Sequence, residues 1–424
     1  MGFCSITFVY ALILLLGSFS FGYVVSYPSP AIPEIKEIMD LKEVESTMFN
    51  AVSSLFAIFG SLLATFLINI AGKKLTTFMT AVVGLIFWIS LSFMTLANIW
   101  LGIAGRAVLG IFMGSISVVI PLCINELTPP EYKGIYGSLS QFGISTGCTA
   151  AYFLATLLDW RGLTYFDGAL CGALCLLIWI IPLKPKESNE NNNEEKESVF
   201  QRKHMRNLFV GIGAMFFQQF SGINAILTNL NTLFDKAGLS LSPSIASGIA
   251  SSAQVIAVII GSIMIQFFGR RFVWIFSEIG AAVFILIYGL TIKFPDWPSW
   301  IAIIAIFAYL LTFGVGLGPI PWFIVPQLFQ GPVSSSATSI ATAVNWTCAF
   351  TVILCFPYLN NLIGDFYSMI LFMIVCVFGI FFGWFFVGER EVFDENELAN
   401  SLLAENSEQH HNYINENQPK VEMY

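Results

Sequence analysis

Apolar windows long enough to cross a bilayer recur twelve times along the 424-residue chain. They are centred near residues 15, 59, 86, 111, 145 and 172, and after a gap near 220, 256, 282, 312, 346 and 376. A hydrocarbon core of about 30 Å needs about 20 apolar residues per helix, and a helix satisfies its backbone internally, as lipid demands. The pattern predicts an all-α membrane protein of twelve transmembrane helices in two six-helix halves. The gap contains the polar run Glu-Ser-Asn-Glu-Asn-Asn-Asn-Glu-Glu-Lys-Glu and reads as a linker. The expected division is 1–182 for the N-terminal half, 183–206 for a shortened cytoplasmic linker, 207–388 for the C-terminal half and 389–424 for a polar cytoplasmic tail. The first window, about 6–25, has no Lys or Arg before it and further spans after it. It reads as a retained span rather than a signal peptide.

Composition supports this division. Only 11% of residues are charged and 56% are hydrophobic, whereas soluble domains carry roughly 25% charged residues. The net charge of −8 says little about partners, because nine acidic residues lie after Gly388. No basic patch points to nucleic acid. All eight Cys fall in apolar stretches, where a thiol behaves as a small core side chain. No metal set, cofactor motif or nucleophile–base pair stands out, so an enzyme is not expected. Placing both termini in the cytoplasm puts 13 Lys and Arg inside and six outside, the bias that sets orientation in membranes.

The halves echo each other at a spacing of about 200 residues. Gly72-Lys73-Lys74 closes span 2 and Gly269-Arg270-Arg271 closes span 8. Pro121 to Leu127 in span 4 matches Pro321 to Leu328 in span 10. A parallel six-helix repeat of this kind is the plan of major facilitator transporters, with substrate bound at the midplane between the halves.

The polar residues inside the spans locate the chemistry. Span 7 reads Gln218-Gln219-Phe220-Ser221-Gly222-Ile223-Asn224. Three amides in a membrane segment must face protein or water. On a regular helix Asn224 points about 190° from the Gln pair, so the three converge only if the helix breaks, and Ser221-Gly222 is the place for it. The alternative is that these amides simply bond between helices. Span 10 reads Gly314-Val-Gly316-Leu-Gly318-Pro319-Ile-Pro321-Trp322. Two prolines each remove a donor and clash with the preceding turn, so this helix is expected to break where it faces a cavity. Trp322 offers a flat ring and an N–H donor. Gln141, Gln254 and Asn345 add amides from spans 5, 8 and 11. Amides donate and accept together, which suits a neutral, hydroxyl-rich ligand. Buried charge is sparse: Arg106, Glu126 and Glu278 are the main cases, with Glu126 expected near Lys133, Arg270 and Arg271 as a cytoplasmic latch, and Glu278 within reach of it.

These residues resemble the sugar porter branch of the major facilitator superfamily, which includes animal facilitative glucose transporters and insect facilitated trehalose transporters. The strongest pieces are Gln218 to Ala225, Gly318 to Val325, Asn345-Trp346-Thr347 and Gly269-Arg270-Arg271; Gly105-Arg106 with Pro121 and Glu126 also fits. The resemblance implies sugar contacts at Gln141, Gln218, Gln219, Asn224, Gln254, Trp322 and Asn345, with Phe313 as an aromatic lining residue. It implies a gating charge set of Arg106, Glu126, Lys133, Arg270 and Arg271. Several family positions depart from pattern: Asn69 and Ile70 stand where Asp-Arg is usual, Gln266 and Phe267 where an acid and Arg are usual, and Gln327 and Gly314 where acids are usual. Thr228-Asn229 replaces two Tyr common in glucose carriers. The stripped latch leads us to expect an inward-biased protein. Proton-coupled relatives carry an Asp after the Phe-Gly-Tyr of span 1, and here Val24 follows Phe21-Gly22-Tyr23. The expected function is facilitated diffusion of a hexose or small disaccharide by alternating access, with a non-transporting sugar sensor or degenerate paralogue as the alternative. The expected partners are a small neutral carbohydrate and the lipid bilayer, the expected active form a monomer, and the expected location the plasma membrane.

Overall fold

Long apolar runs become long helices, and single glycines turn them. The computed structural model describes residues 2–39, 41–95, 98–128, 132–183, 198–236, 242–329 and 331–388. The tail beyond 388 and most of the expected linker lie outside these residues. Nine described helices are long and apolar enough to cross a membrane. Two of them are α3 (Glu43–Leu91) and α10 (Pro243–Lys293), of 49 and 51 residues, about twice what one crossing needs. Each turns at one residue with positive φ: Gly72 at φ 77, ψ 165 and Gly269 at φ 77, ψ 164. A Cβ is strained at such φ, which is why the Gly-Lys-Lys and Gly-Arg-Arg sequences occupy matching places. Each therefore supplies two spans. With the more polar α5 (Lys133–Leu154), the described residues make twelve crossings.

The other spans are α1 (Gly2–Ser26), α4 (Ile99–Leu127), α6 (Trp160–Leu177), the pieces α7 (Met205–Phe220), α8 (Ile223–Leu227) and α9 (Leu230–Lys236), the pieces α11 (Ser299–Val315) and α12 (Pro319–Leu328), then α13 (Gly331–Ile363) and α14 (Asp365–Phe386). A short helix, α2 (Pro28–Met39), lies between spans 1 and 2. The starts are capped by side chains the sequence supplies. Asp159 accepts from the Gly162 N–H at the head of α6, and Ser242 accepts from Ile245 ahead of Pro243 at the head of α10, as N-caps do.

Residues Met1–Val387 form one compact unit. The two six-span halves meet inside it through matched pairs: α13 packs on α3, and α10 packs on α5. Trp88, Trp160, Trp274 and Trp346 are fully buried. Large apolar side chains also point outward, with Phe267 and Leu176 77% exposed and Leu362 81% exposed. An outer surface of this kind marks a contact with an apolar medium.

Candidate functional site

The break expected in span 7 is present. α7 ends at Phe220, Ser221 keeps a helical turn, Gly222 takes φ 95, and α8 begins at Ile223. The turn brings Asn224 back toward the glutamines, and its Nδ2 donates to Gln219 Oε1 at 2.6 Å. Gln219 Nε2 donates to Asn345 Oδ1 of α13 at 3.0 Å. Asn345 Nδ2 donates to Gln218 Oε1 at 2.8 Å. The relay of four buried amides thus joins both pieces of span 7 to span 11.

Span 10 breaks as its Gly and Pro residues dictate. α11 stops at Val315, Gly316 leaves helical geometry at φ −139, and α12 starts at Pro319. The freed backbone groups need partners, since an unpaired buried carbonyl or amide is costly. Gln218 Nε2 supplies two: it donates to Leu317 O at 3.0 Å and Gly318 O at 2.9 Å. Ser277 of α10 accepts from Leu317 N at 2.9 Å and donates to Thr312 O at 2.6 Å. At the span 7 break, Tyr309 OH of α11 donates to Ser221 O at 3.1 Å. The two interruptions are therefore stitched to each other.

A second amide group lies on the other side of the span 10 break. Gln141 of α5 sits against Gly318, where an added Cβ would meet its Cγ and Cδ at 3.4 Å. Gln141 Nε2 donates to Ser145 Oγ at 3.3 Å, and Ser145 donates to Gln254 Oε1 of α10 at 3.4 Å. Gln254 is 1% exposed and its Nε2 has no hydrogen-bond partner. Such an orphaned donor is a candidate ligand contact. The aromatic wall is Phe313, stacked on Tyr309 at 6.4 Å, and Trp322, edge-on to Phe21 at 5.6 Å. Phe21 also meets Trp346 at 5.2 Å. All eight expected contact residues thus line the two breaks and the facing spans. The arrangement presents amide donors and acceptors beside flat rings.

Thr228 and Asn229 turn their donors back onto the backbone of span 7. Thr228 Oγ1 donates to Asn224 O at 2.7 Å, and Asn229 Nδ2 donates to Ala225 O at 2.9 Å. Both polar groups are taken up by their own helix.

The charged set divides. Glu126 accepts from Lys73 Nζ at 2.5 Å, a partner that the sequence placed on the inner side without joining it to the latch. Arg271 Nε donates to Val387 O at 3.4 Å, holding the end of α14, and Arg270 follows the Gly269 turn. Lys133 begins α5, and its side chain lies outside the described residues. Arg106 does not join this set. It lies 20 residues before Glu126 on α4, or about 30 Å away at 1.5 Å per residue. It is buried, with Nε on Phe49 O at 3.3 Å and Nη1 on Val24 O at 3.0 Å. Its guanidinium covers Tyr27 and Phe49 at 5.8 and 5.5 Å, so carbonyls and ring faces satisfy it. Glu278 also turns elsewhere, its carboxyl lying against Gly379 of α14.

One buried acid escaped the sequence reading. Asp167 of α6 is 0% exposed and accepts from Ser20 of α1, while its Oδ1 has no partner. The signal was a lone acid in Thr164-Tyr-Phe-Asp-Gly-Ala-Leu. Outside the spans, Glu34 of α2 accepts from Trp160 N at 2.9 Å. Burial raises its carboxyl pKa, and that hydrogen bond opposes the shift.

The chain is similar to known membrane transporters. The family model for "Sugar (and other) transporter" matches residues 7–197 and 183–392. The facilitated trehalose transporter Tret1 of Bombyx mori is 27% identical over 432 residues, spanning 92% of this chain and 85% of that one. The sugar transporter ERD6-like 18 of Arabidopsis thaliana is 28% identical over 438 residues, spanning 93% and 90%. Among solved structures, the major facilitator proton:xylose symporter XylE bound to 6-bromo-6-deoxy-D-glucose superposes with a TM-score of 0.79 at 20% identity, covering 91% of this chain and 96% of that one. The partially occluded inward-open form of XylE from E. coli gives 0.75, covering 91% and 99%. At this identity the structures establish the fold, that of the major facilitator protein XylE, and the family model, which covers both halves, establishes the membership: the chain belongs to the sugar (and other) transporter family and is a multi-pass membrane transporter rather than an enzyme.

Proposed function

We propose that this chain is a uniporter that carries a hexose or small disaccharide down its gradient by alternating access. Its relatives include proteins named facilitated trehalose transporters. The observation that carries the reading is the relay Asn224–Gln219–Asn345–Gln218, which ends on the carbonyls of the span 10 break. A sugar that takes hydrogen bonds from these amides alters what holds the two breaks together. Ligand binding and helix movement then draw on the same groups, the differential interaction that a population shift requires. Gln141 and Gln254 would meet the sugar from spans 5 and 8, and Trp322 and Phe313 would cover its C–H face. The active unit is one chain in the plasma membrane with both termini cytoplasmic, in line with the Lys and Arg bias.

The reading favours a uniporter because Val24 stands where coupled relatives place an acid and because the Arg106 guanidinium rests on the Val24 carbonyl. The test is uptake of labelled glucose, fructose and trehalose into proteoliposomes, with and without an inward proton gradient. We expect saturable uptake of one sugar, unchanged by the gradient and abolished by Gln219→Ala with Asn224→Ala. Uptake that acidifies the lumen, and loses that acidification in Asp167→Asn, would overturn the uniport assignment. Sugar binding without uptake would favour a sensor.

A further inference from the structure

The two halves of a rocking transporter must be held together at the inner face while the outer face is open, and the sequence reading assigned that task to charge. The structure offers a second device. Thr65, two turns before the Gly72 turn of α3, donates to Ser335 O of α13 at 2.9 Å and shares a hydrogen bond with Ser339 Oγ. This bond crosses from the first half to the second near the cytoplasmic ends of both helices. Ser335 and Ser339 are 6% and 2% exposed.

Farther along α13 the same face crosses again. Trp346 Nε1 donates to Ser117 Oγ of α4 at 3.1 Å. At about 100° per residue, positions 335, 339, 342 and 346 fall within a stripe of about 60° on one face of the helix. Thr342, in the middle of the stripe, is 0% exposed and its Oγ1 has no partner. The seam between the halves is thus a row of hydroxyls closed by an indole. An apolar seam would expose hydrocarbon on parting, whereas hydroxyls trade each other for water. Asn345, next to Trp346 on α13, belongs to the amide relay. Ser334 Oγ, next to Ser335, donates to Pro326 O of α12 at 3.4 Å. The clamp therefore sits on a helix that touches the amide relay, the second piece of span 10 and the opposite half.

We propose that Thr65, with Ser335 and Ser339, is the positioning clamp of the cytoplasmic gate, and that α13 carries the state of the amide relay to it. The clamp rests on the transport reading only in that both halves move. It is tested without sugar. A narrow cleft lies between α4, α5 and α12 at the inner end, lined by Asn125, Thr128, Gly137 and Phe323 among others. Asn125→Cys places a reporter in it. The rate of reaction with a membrane-impermeant maleimide, added to inside-out vesicles, reads how often the inner face opens, with the parent lacking the reporter as background. Thr65→Val, which removes both bonds, is expected to raise the rate at least about two- to tenfold, the range for a single lost hydrogen bond. Thr65→Ser should restore the parent rate. Ser339→Ala should raise it as well, and Thr65→Val with Ser339→Ala should add little beyond Thr65→Val alone, because the two share one bond. A rate unchanged or lowered in both single variants overturns the clamp, and so do fully additive effects. Should Thr65→Val fail to fold, as read by its melting temperature, Ser339→Ala decides the outcome alone. Absence of sugar uptake in the parent would count against the transport reading and leave this assay intact.

Discussion

Spans 1 and 4 of the first half correspond to spans 7 and 10 of the second, yet one pair is continuous and the other is broken. α1 runs unbroken over Gly2–Ser26, while its counterpart stops at Phe220 and restarts at Ile223. α4 absorbs Pro121 within 29 continuous residues, while α11 and α12 are parted by Gly316, Leu317 and Gly318. Glycines in matching places serve opposite ends. Gly222 adopts φ 95, which bends the chain. Gly22 is helical and lets α1 touch α5 backbone to backbone: a Cβ there would lie 1.9 Å from the Ile144 carbonyl oxygen. The first half is built as a close-packed rail. The second holds the hinges, and the four-amide relay is built entirely from its spans.

The comparison is sharpened first by alanine at the two glycines. Gly22→Ala should act on folding, because a Cβ meets main chain that cannot yield. Overpacking costs about 1–3 kcal/mol or more, so a fall in melting temperature of several degrees or a loss of folded protein is expected. Gly222→Ala should act on transport, through about 1–2 kcal/mol of left-handed strain and pressure on the Phe372 ring, which a Cβ would approach to 2.7 Å. Uptake at least tenfold lower, with folded protein retained, is the expected result. If both variants fail in the same way, the contrast between rail and hinge is wrong.

Next in size is Gln218→Leu, which leaves the Leu317 and Gly318 carbonyls and Asn345 short of partners. Each buried polar group left unpaired costs about 1–3 kcal/mol, and we expect uptake reduced at least tenfold. Gln141→Leu removes one long hydrogen bond to Ser145 and should reduce uptake less. Smaller again is the proline contrast. Pro319→Ala with Pro321→Ala should slow transport severalfold by letting span 10 heal, whereas Pro121→Ala in α4 should stay within about twofold, because a helix that tolerates a proline gains little motion from losing it. Last is Lys73→Met. The pair with Glu126 is partly exposed, with side chains 29% and 15% exposed, and pairs of that kind are worth about 0–1 kcal/mol. A shift in melting temperature of no more than a few degrees is expected.

The sequence disclosed much of this because its signals were local. Twelve apolar windows and the repeated Gly-Lys-Lys and Gly-Arg-Arg turns can be read from hydropathy and φ preference alone. The break at Ser221-Gly222 was legible for a geometric reason: three amides could converge in no other way. What escaped it was pairing between distant spans. Gln218 finds its carbonyls 99 and 100 residues away, and periodicity carries no record of which broken backbone faces which amide. Lys73 pairs with Glu126, and Glu278 turns toward α14, because helix rotation about its own axis decides side-chain direction. Asp167 was overlooked because one acid scarcely changes the hydropathy of its window.

The turns at Gly72 and Gly269 bear on how the protein meets proteases. Each joins two spans through a single non-helical residue, with helical geometry resuming on either side. A protease needs an extended stretch of several residues in its cleft, and neither turn provides one. Trypsin applied to the membrane face that carries these turns should therefore leave Lys73-Lys74 and Arg270-Arg271 uncut under native conditions, dibasic though both are. Each pair of spans would then travel together as one intact fragment.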